Sequence, residues 1–326
     1  MAGLVWVISV RNFLKELINQ ESKEHSQYHY FNSYFTKMRR YKYSLKPLKP
    51  VKVNDLIRIG DQNTDGGYII SERQIDLTKV LVGLGVSYDW SFEEDFKSKN
   101  PDAEIYCFDY SVSKKDYIKN SLISLLSIFS PVTWTQLLLK KRNLIKIISR
   151  PFYEIKTLYE FDKFFYRTPG NYFFNKGVSD YTDDIFVTVE EMLQMVQSFK
   201  MLPDNSVFIK VDIEGSEYDI LEPLLDNKNK INGLTIEFHN LKHLWEVFLY
   251  VTSLLKRDFE IIHIHANNVG GYIPGTIVPA FLEISFIKRE LLSLSELESI
   301  NDQNYPLAHL DKPNISSLSD LNISFD

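Results

Sequence analysis

The chain of 326 residues carries 37 Lys+Arg against 43 Asp+Glu, a net charge of −6, and is 44% hydrophobic and 14% aromatic. That composition excludes a disordered chain, a collagen-like repeat and a basic nucleic-acid-coating protein; the length suffices for one inserted α/β domain or about two domains. The single cysteine, Cys107, excludes an intramolecular disulfide framework and any cysteine-built zinc or iron-sulfur site, and it suits a reducing compartment.

In chain order, residues 1–10 are apolar but lack a basic flank, a small-residue cleavage site and the length to span a bilayer. They are read as a mature start, and the protein as cytoplasmic. Residues 1–50 read as a basic, aromatic helical extension, with Arg39, Arg40, Tyr41 and Tyr43, ending in a proline-containing linker at 46–50. From 51 to 290, short β-rich runs alternate with helical patterns. The strands are expected at 79–82, 104–108, 172–174, 207–211, 234–238, 261–264 and 281–286. Helices are expected at 189–196, where Thr188 and Glu191 form a capping box, at 216–225 and at 241–256. Such alternation predicts a mostly parallel, Rossmann-like sheet with helices on both faces and ligands at the strand C-terminal ends. A helical insert at 111–168 interrupts it, with 11 Lys+Arg against 4 Asp+Glu, including Lys140, Lys141 and Arg142. Its aromatics are Phe152, Tyr153, Tyr159, Phe161, Phe164 and Phe165. Two readings stand: a hairpin packed by its own aromatics, or a platform for an anionic substrate or membrane surface. The polar tail at 291–326 is of doubtful order.

The first strand runs into Gly83-Leu84-Gly85-Val86-Ser87, a turn that lets backbone approach a ligand closely. The next strand ends in Phe108-Asp109-Tyr110, where an acid can accept ribose hydroxyls. Together they suggest an adenosine-bearing cofactor; the absence of a third glycine favours S-adenosylmethionine over a dinucleotide. The most informative stretch is Ile209-Lys210-Val211-Asp212-Ile213-Glu214-Gly215-Ser216-Glu217. Carboxylates are costly to bury unpaired, so these should cluster at the strand tip facing the cleft. Glu237 and His239 end the fifth strand, and His265 and Asn267 the sixth, so all four could converge there. His263 is placed opposite to His265 and read as structural.

The acidic stretch, with Arg58-Ile59-Gly60, Asp65-Gly66-Gly67-Tyr68, Gly83-Leu84-Gly85 and Ser91-Phe92-Glu93 upstream, resembles FkbM-type S-adenosylmethionine-dependent methyltransferases, over about residues 56–287. The resemblance implies a class I methyltransferase fold of seven strands with the last antiparallel. It implies that Gly83, Gly85, Ser87, Asp109, Tyr110, Asp180 and Asp212 hold the cofactor. The acceptor it implies is a sugar oxygen of a polysaccharide or glycoconjugate precursor, met by Tyr68, Glu237 and Asn267. A sugar hydroxyl needs a base, for which His239 or His265 is expected, with Asp212 and Glu214 orienting the reactants. No metal is predicted. The competing use of Asp212, Glu214, Glu237, His239 and His265 is to hold a divalent ion, with Asp212, Glu237 and His239 as the core set. The other functions weighed are a nucleotide-cofactor oxidoreductase and a non-catalytic peripheral membrane or scaffold protein. The expected partners are the saccharide acceptor and the inner face of a membrane, not nucleic acid.

Overall fold

The computed structural model describes residues 43–62, 66–130, 135 and 144–325. The extension up to residue 42, Asp65 of the glycine motif and the Lys140-Lys141-Arg142 run lie outside them. In chain order the elements are β1 (Leu56–Ile59), β2 (Tyr68–Ser71), α1 (Glu72–Leu77), β3 (Val80–Leu84), α2 (Ser91–Lys99), β4 (Glu104–Phe108), α3 (Lys114–Ser127), α4 (Leu144–Asp162) and β5 (Asn171–Phe174). There follow β6 (Gly177–Ser179), β7 (Phe186–Thr188), α5 (Val189–Met195), β8 (Val207–Val211), α6 (Glu217–Leu225), β9 (Ile231–Phe238), α7 (Leu241–Leu255), β10 (Phe259–Ala266), β11 (Leu282–Lys288) and α8 (Leu294–Leu297).

Seven strands form one sheet in the order β10-β11-β9-β8-β3-β4-β5. From β5 to β9 every neighbour is parallel, whereas β11 runs antiparallel to both β9 and β10. The fold is thus the α/β architecture expected, with its last strand reversed. The inner strands are apolar on both faces because helices cover both; Val80 to Leu84 and Val207 to Val211 are buried throughout. The chain moves outward from β3 through β4 to β5, then restarts at β8 on the other side of β3. The order therefore reverses between β3 and β8, the point at which open α/β sheets take ligands at their strand C-terminal ends.

Each of the seven expected strands lies in this sheet, and the α5 capping box forms between Thr188 and Glu191 as written in the sequence. One boundary matters for the site. β3 extends to Leu84, so Gly83 lies inside the strand and the turn begins at Gly85.

Within the insert, Phe161, Phe164 and Phe165 are buried. Phe161 packs at a tilt on Tyr117 of α3 at 4.6 Å and meets Phe173 of β5 edge-on at 5.0 Å, which ties α3 and α4 to the sheet edge. Phe152, Tyr153 and Tyr159 stay exposed. The tail, far from trailing, folds back onto β10 and β11. Asn301 N–H donates to Pro50 O at 3.0 Å, Tyr305 and Leu307 are buried, and Asn314 donates to Glu283 at 2.7 Å. Its polar composition misleads because Asn301, Asp311, Asn314 and Asp320 are spent on buried partners.

Candidate functional site

The site is assembled from the tips of β3, β4, β8 and β9. After Val211 the chain turns through Asp212, Ile213, Glu214 and Gly215 into α6. Glu214 has φ +56° and Gly215 φ +114°, the second a conformation that only glycine adopts cheaply. Across the cleft Gly85 has φ +76°, and a Cβ there would lie 1.6 Å from the Asp212 carbonyl oxygen. The two tips are further stitched by Asp212 N–H donating to Leu84 O at 2.9 Å.

Asp212 accepts a hydrogen bond from the Tyr68 hydroxyl at 3.1 Å. Burial pushes its carboxyl above the ordinary range, against the pull of Lys210 and His239. His239 stands at the centre of the acids. Its Nε2 is 3.6 Å from Glu214 and 3.7 Å from Glu237, and its Nδ1 is 3.3 Å from Glu217. Glu217, fully buried, also accepts the His239 backbone N–H at 2.6 Å and the Gly215 N–H at 2.8 Å, so one carboxylate fixes both tips. Asn267 donates to Glu237 at 2.7 Å. The structure thus brings Tyr68, Asp212, Glu214, Glu237, His239 and Asn267 together.

It does not bring His265 there. His265 Nδ1 is 3.0 Å from Glu283 and its Nε2 3.1 Å from Asp320 of the tail, so both ring nitrogens are engaged by carboxylates that hold the imidazole well above its usual range despite burial. His265 is spent on anchoring the tail, its ring bridging Glu283 and Asp320. His263 is corrected too: residues two apart on a strand share a face, and His263 meets the tail through Asp311 at 3.1 Å.

His239 differs from expectation in charge. Burial works to lower its pKa, but the hydrogen bond and charge of Glu217, with Glu237 and Asp212, outweigh it and raise the imidazole to about 9. At neutral pH it is a cation among carboxylates, not the neutral base foreseen.

The cofactor-side residues divide. Gly83 faces the core: a Cβ there would lie 2.6 Å from Glu93 and 3.3 Å from Cys107. Asp109 sits at the β4 tip, yet one oxygen accepts the Val86 and Ser87 amides at 2.8 and 2.6 Å, and the other accepts the Ser111 amide and hydroxyl, both at 2.6 Å. These use the acceptor positions of a carboxylate, so Asp109 clamps the chain's own loop and does not present free oxygens to a ribose. Ser87 is exposed on that loop. Tyr110 is exposed and packs on Phe186 at 4.9 Å, as Tyr181 does at 5.4 Å, and Asp180 is exposed beside Tyr181. The result is an aromatic rim next to the β4 tip.

Two supporting residues escaped sequence reasoning. Lys210 lies within the buried strand β8, its Nζ 3.9 Å from Glu93 and donating to Gly85 O at 3.0 Å. Neither Glu93 oxygen has a hydrogen-bond partner among the described residues, and burial raises its carboxyl. The signal available was a lysine inside an otherwise apolar strand, which demands a buried partner.

No family model matches the chain, and no curated protein matches it. Among solved structures, the fibrillarin pre-rRNA processing protein of Methanococcus jannaschii aligns at 10% identity over 73% of this chain and 84% of its own, with a TM-score of 0.32. A fibrillarin/Nop5p complex aligns at 13% identity over 65% and 73%, with a TM-score of 0.31. Precorrin-6y C5,15-methyltransferase from Geobacter metallireducens GS-15 aligns at 12% identity over 66% and 83%, with a TM-score of 0.29. Likenesses this distant carry no function to the present chain.

Proposed function

We propose that the protein is an S-adenosylmethionine-dependent methyltransferase of the FkbM type, acting on a hydroxyl of a saccharide or glycoconjugate precursor. The observation that carries this reading is the gathering of Asp212, Glu214, Glu237 and His239 beside the Gly85 turn, at the point where strand order reverses. The donor set fits the cofactor: a carboxylate-lined mouth favours a sulfonium cation and disfavours a pyrophosphate, and the Tyr110, Tyr181 and Phe186 rim suits a flat base. When bound, the cofactor supplies an activated methyl group. Gly85 and the Val86-Ser87 loop, held by Asp109, would border it, with Asp180 toward the base.

This chain's own residues would align the acceptor oxygen and take its proton. With His239 protonated, that proton goes to a carboxylate, and Asp212, whose carboxyl burial raises and which the Tyr68 hydroxyl orients, is placed to take it. Tyr68, Glu237 and Asn267 border the place for the acceptor.

The insert supports an acceptor carried at an anionic lipid surface. α3 is inverted for a helix on a soluble core: Tyr117, Ser121 and Ser124 face inward, while Ile118, Leu122, Leu125 and Leu126 are exposed, followed by Phe129 at 81% exposure. Lys115 and Lys119 accompany that face. No helix among the described residues is long and apolar enough to cross a membrane.

Calorimetry of the full chain with S-adenosylhomocysteine and with NAD tests the reading. Binding of the first with no response to the second is expected, followed by transfer of labelled methyl to saccharide acceptors. A response to NAD alone would replace the methyltransferase with an oxidoreductase.

A further inference from the structure

We propose that Asp212, Glu214 and His239 bind one divalent cation, of the manganese or magnesium class, on the acceptor side of the cleft. One ligand atom from each lies within 4.8 Å of the others, and His239 Nε2 stands 3.6 Å from Glu214. Two ligands about 2.1–2.2 Å from a common ion, at octahedral angles, stand about 3.0–4.4 Å apart. The three groups therefore need only a small inward adjustment, and Glu214, with its side chain 86% exposed, is free to make it.

A second observation separates this from a mere acidic cluster. The His239 side chain is only 8% exposed, and its Nε2 makes no hydrogen bond among the described residues: the facing carboxylates, at 3.6 and 3.7 Å, are beyond hydrogen-bond reach. The Nε2 of this largely buried side chain is aimed at two acids without bonding either, and a cation bound there takes the place of the proton that the ring otherwise carries. Its other nitrogen faces Glu217, itself locked by two backbone amides. A carboxylate behind the imidazole is the outer support that metal-ligating histidines use to fix ring orientation.

The sequence placed Glu237 in the ligand set and left Glu214 outside its core. The structure reverses this, since Glu237 is bound by Asn267 at 2.7 Å and stands outside the three-residue cluster. Two carboxylates suit magnesium and manganese, and the imidazole draws the preference toward manganese. Three protein ligands leave positions that two adjacent hydroxyls of a sugar can fill. A hydroxyl bound to the cation loses its proton more readily, to Glu237 or to water once Asp212 is held by the ion, so the site would select vicinal diols and activate one oxygen. That use rests on the methyltransferase reading; the binding itself does not.

The test is a manganese titration of the full chain, stripped of metal by a chelator, with free ion read by electron paramagnetic resonance. One ion per chain is expected, displaced by excess magnesium. Glu214→Gln should weaken it about tenfold or more and His239→Ala should abolish it, with melting temperatures recorded for each. Glu214 is on the surface, so its variant keeps the test valid even if the His239 variant unfolds. Absence of bound manganese at millimolar concentration, or equal binding by wild type and Glu214→Gln, overturns the proposal. S-adenosylhomocysteine binding measured in chelator separates the two ideas: retained cofactor binding without manganese binding leaves the methyltransferase standing and removes the cation site.

Discussion

Replacing Asp109 by alanine discriminates a residue that shapes the cofactor loop from one that touches the cofactor. The carboxylate receives the amides of Val86, Ser87 and Ser111 and the Ser111 hydroxyl, at 2.6 to 2.8 Å. Val86 is only 2% exposed, so its N–H would be left without water, and a hydrogen bond to a charged group contributes about 1.5–3 kcal/mol. Ser87 and Ser111 lie at the surface, where their amides regain water at about 0.5 kcal/mol each. The expected loss is therefore about 2.5–4 kcal/mol, read by urea unfolding, with Asp109→Asn retaining about half because it keeps one carbonyl oxygen. Cofactor affinity should fall as well, because the freed loop must be ordered on binding. A stability change below about 1 kcal/mol, together with more than tenfold weaker S-adenosylhomocysteine binding, would refute the clamp and restore Asp109 as a direct ligand contact.

The remaining predictions concern the periphery. Arg73 bonds Asp55 and Glu296, and its guanidinium holds Glu296 down from 4.5 to about 2. The folded value lies below the unfolded one, so this contribution is complete above pH 4.5 and drains away as the pH falls toward 2. Urea unfolding across that window should show a smaller drop for Arg73→Met than for wild type, and equal slopes would remove the pair from the acid response. On the insert, Leu126→Ser with Phe129→Ser should reduce sedimentation with anionic vesicles several-fold while leaving S-adenosylhomocysteine affinity intact. Vesicle binding unchanged by that pair would move the lipid contact elsewhere or dismiss it.

Much of the framework was legible in the residues themselves. Every expected strand lies in the central sheet, because a run such as Val80 to Leu84 declares burial on both faces by composition alone. The turn chemistry was equally local: Gly85 and Gly215 mark the two tips that approach each other, and Thr188 with Glu191 writes its own helix cap. Tertiary structure alone decided what the polar groups do there. His239 and His265 look alike as histidines at the ends of successive strands. Yet one faces an open acid cluster and the other is closed off by Asp320, 55 residues further along the chain. Asp109 looked free to meet a ribose, but the Val86-Ser87 loop folds back and takes its oxygens. The difference is physical. Burial patterns are set by neighbours one to four residues away, whereas a charge or an acceptor position is set by whichever groups the fold brings within a few ångströms, wherever they sit in sequence.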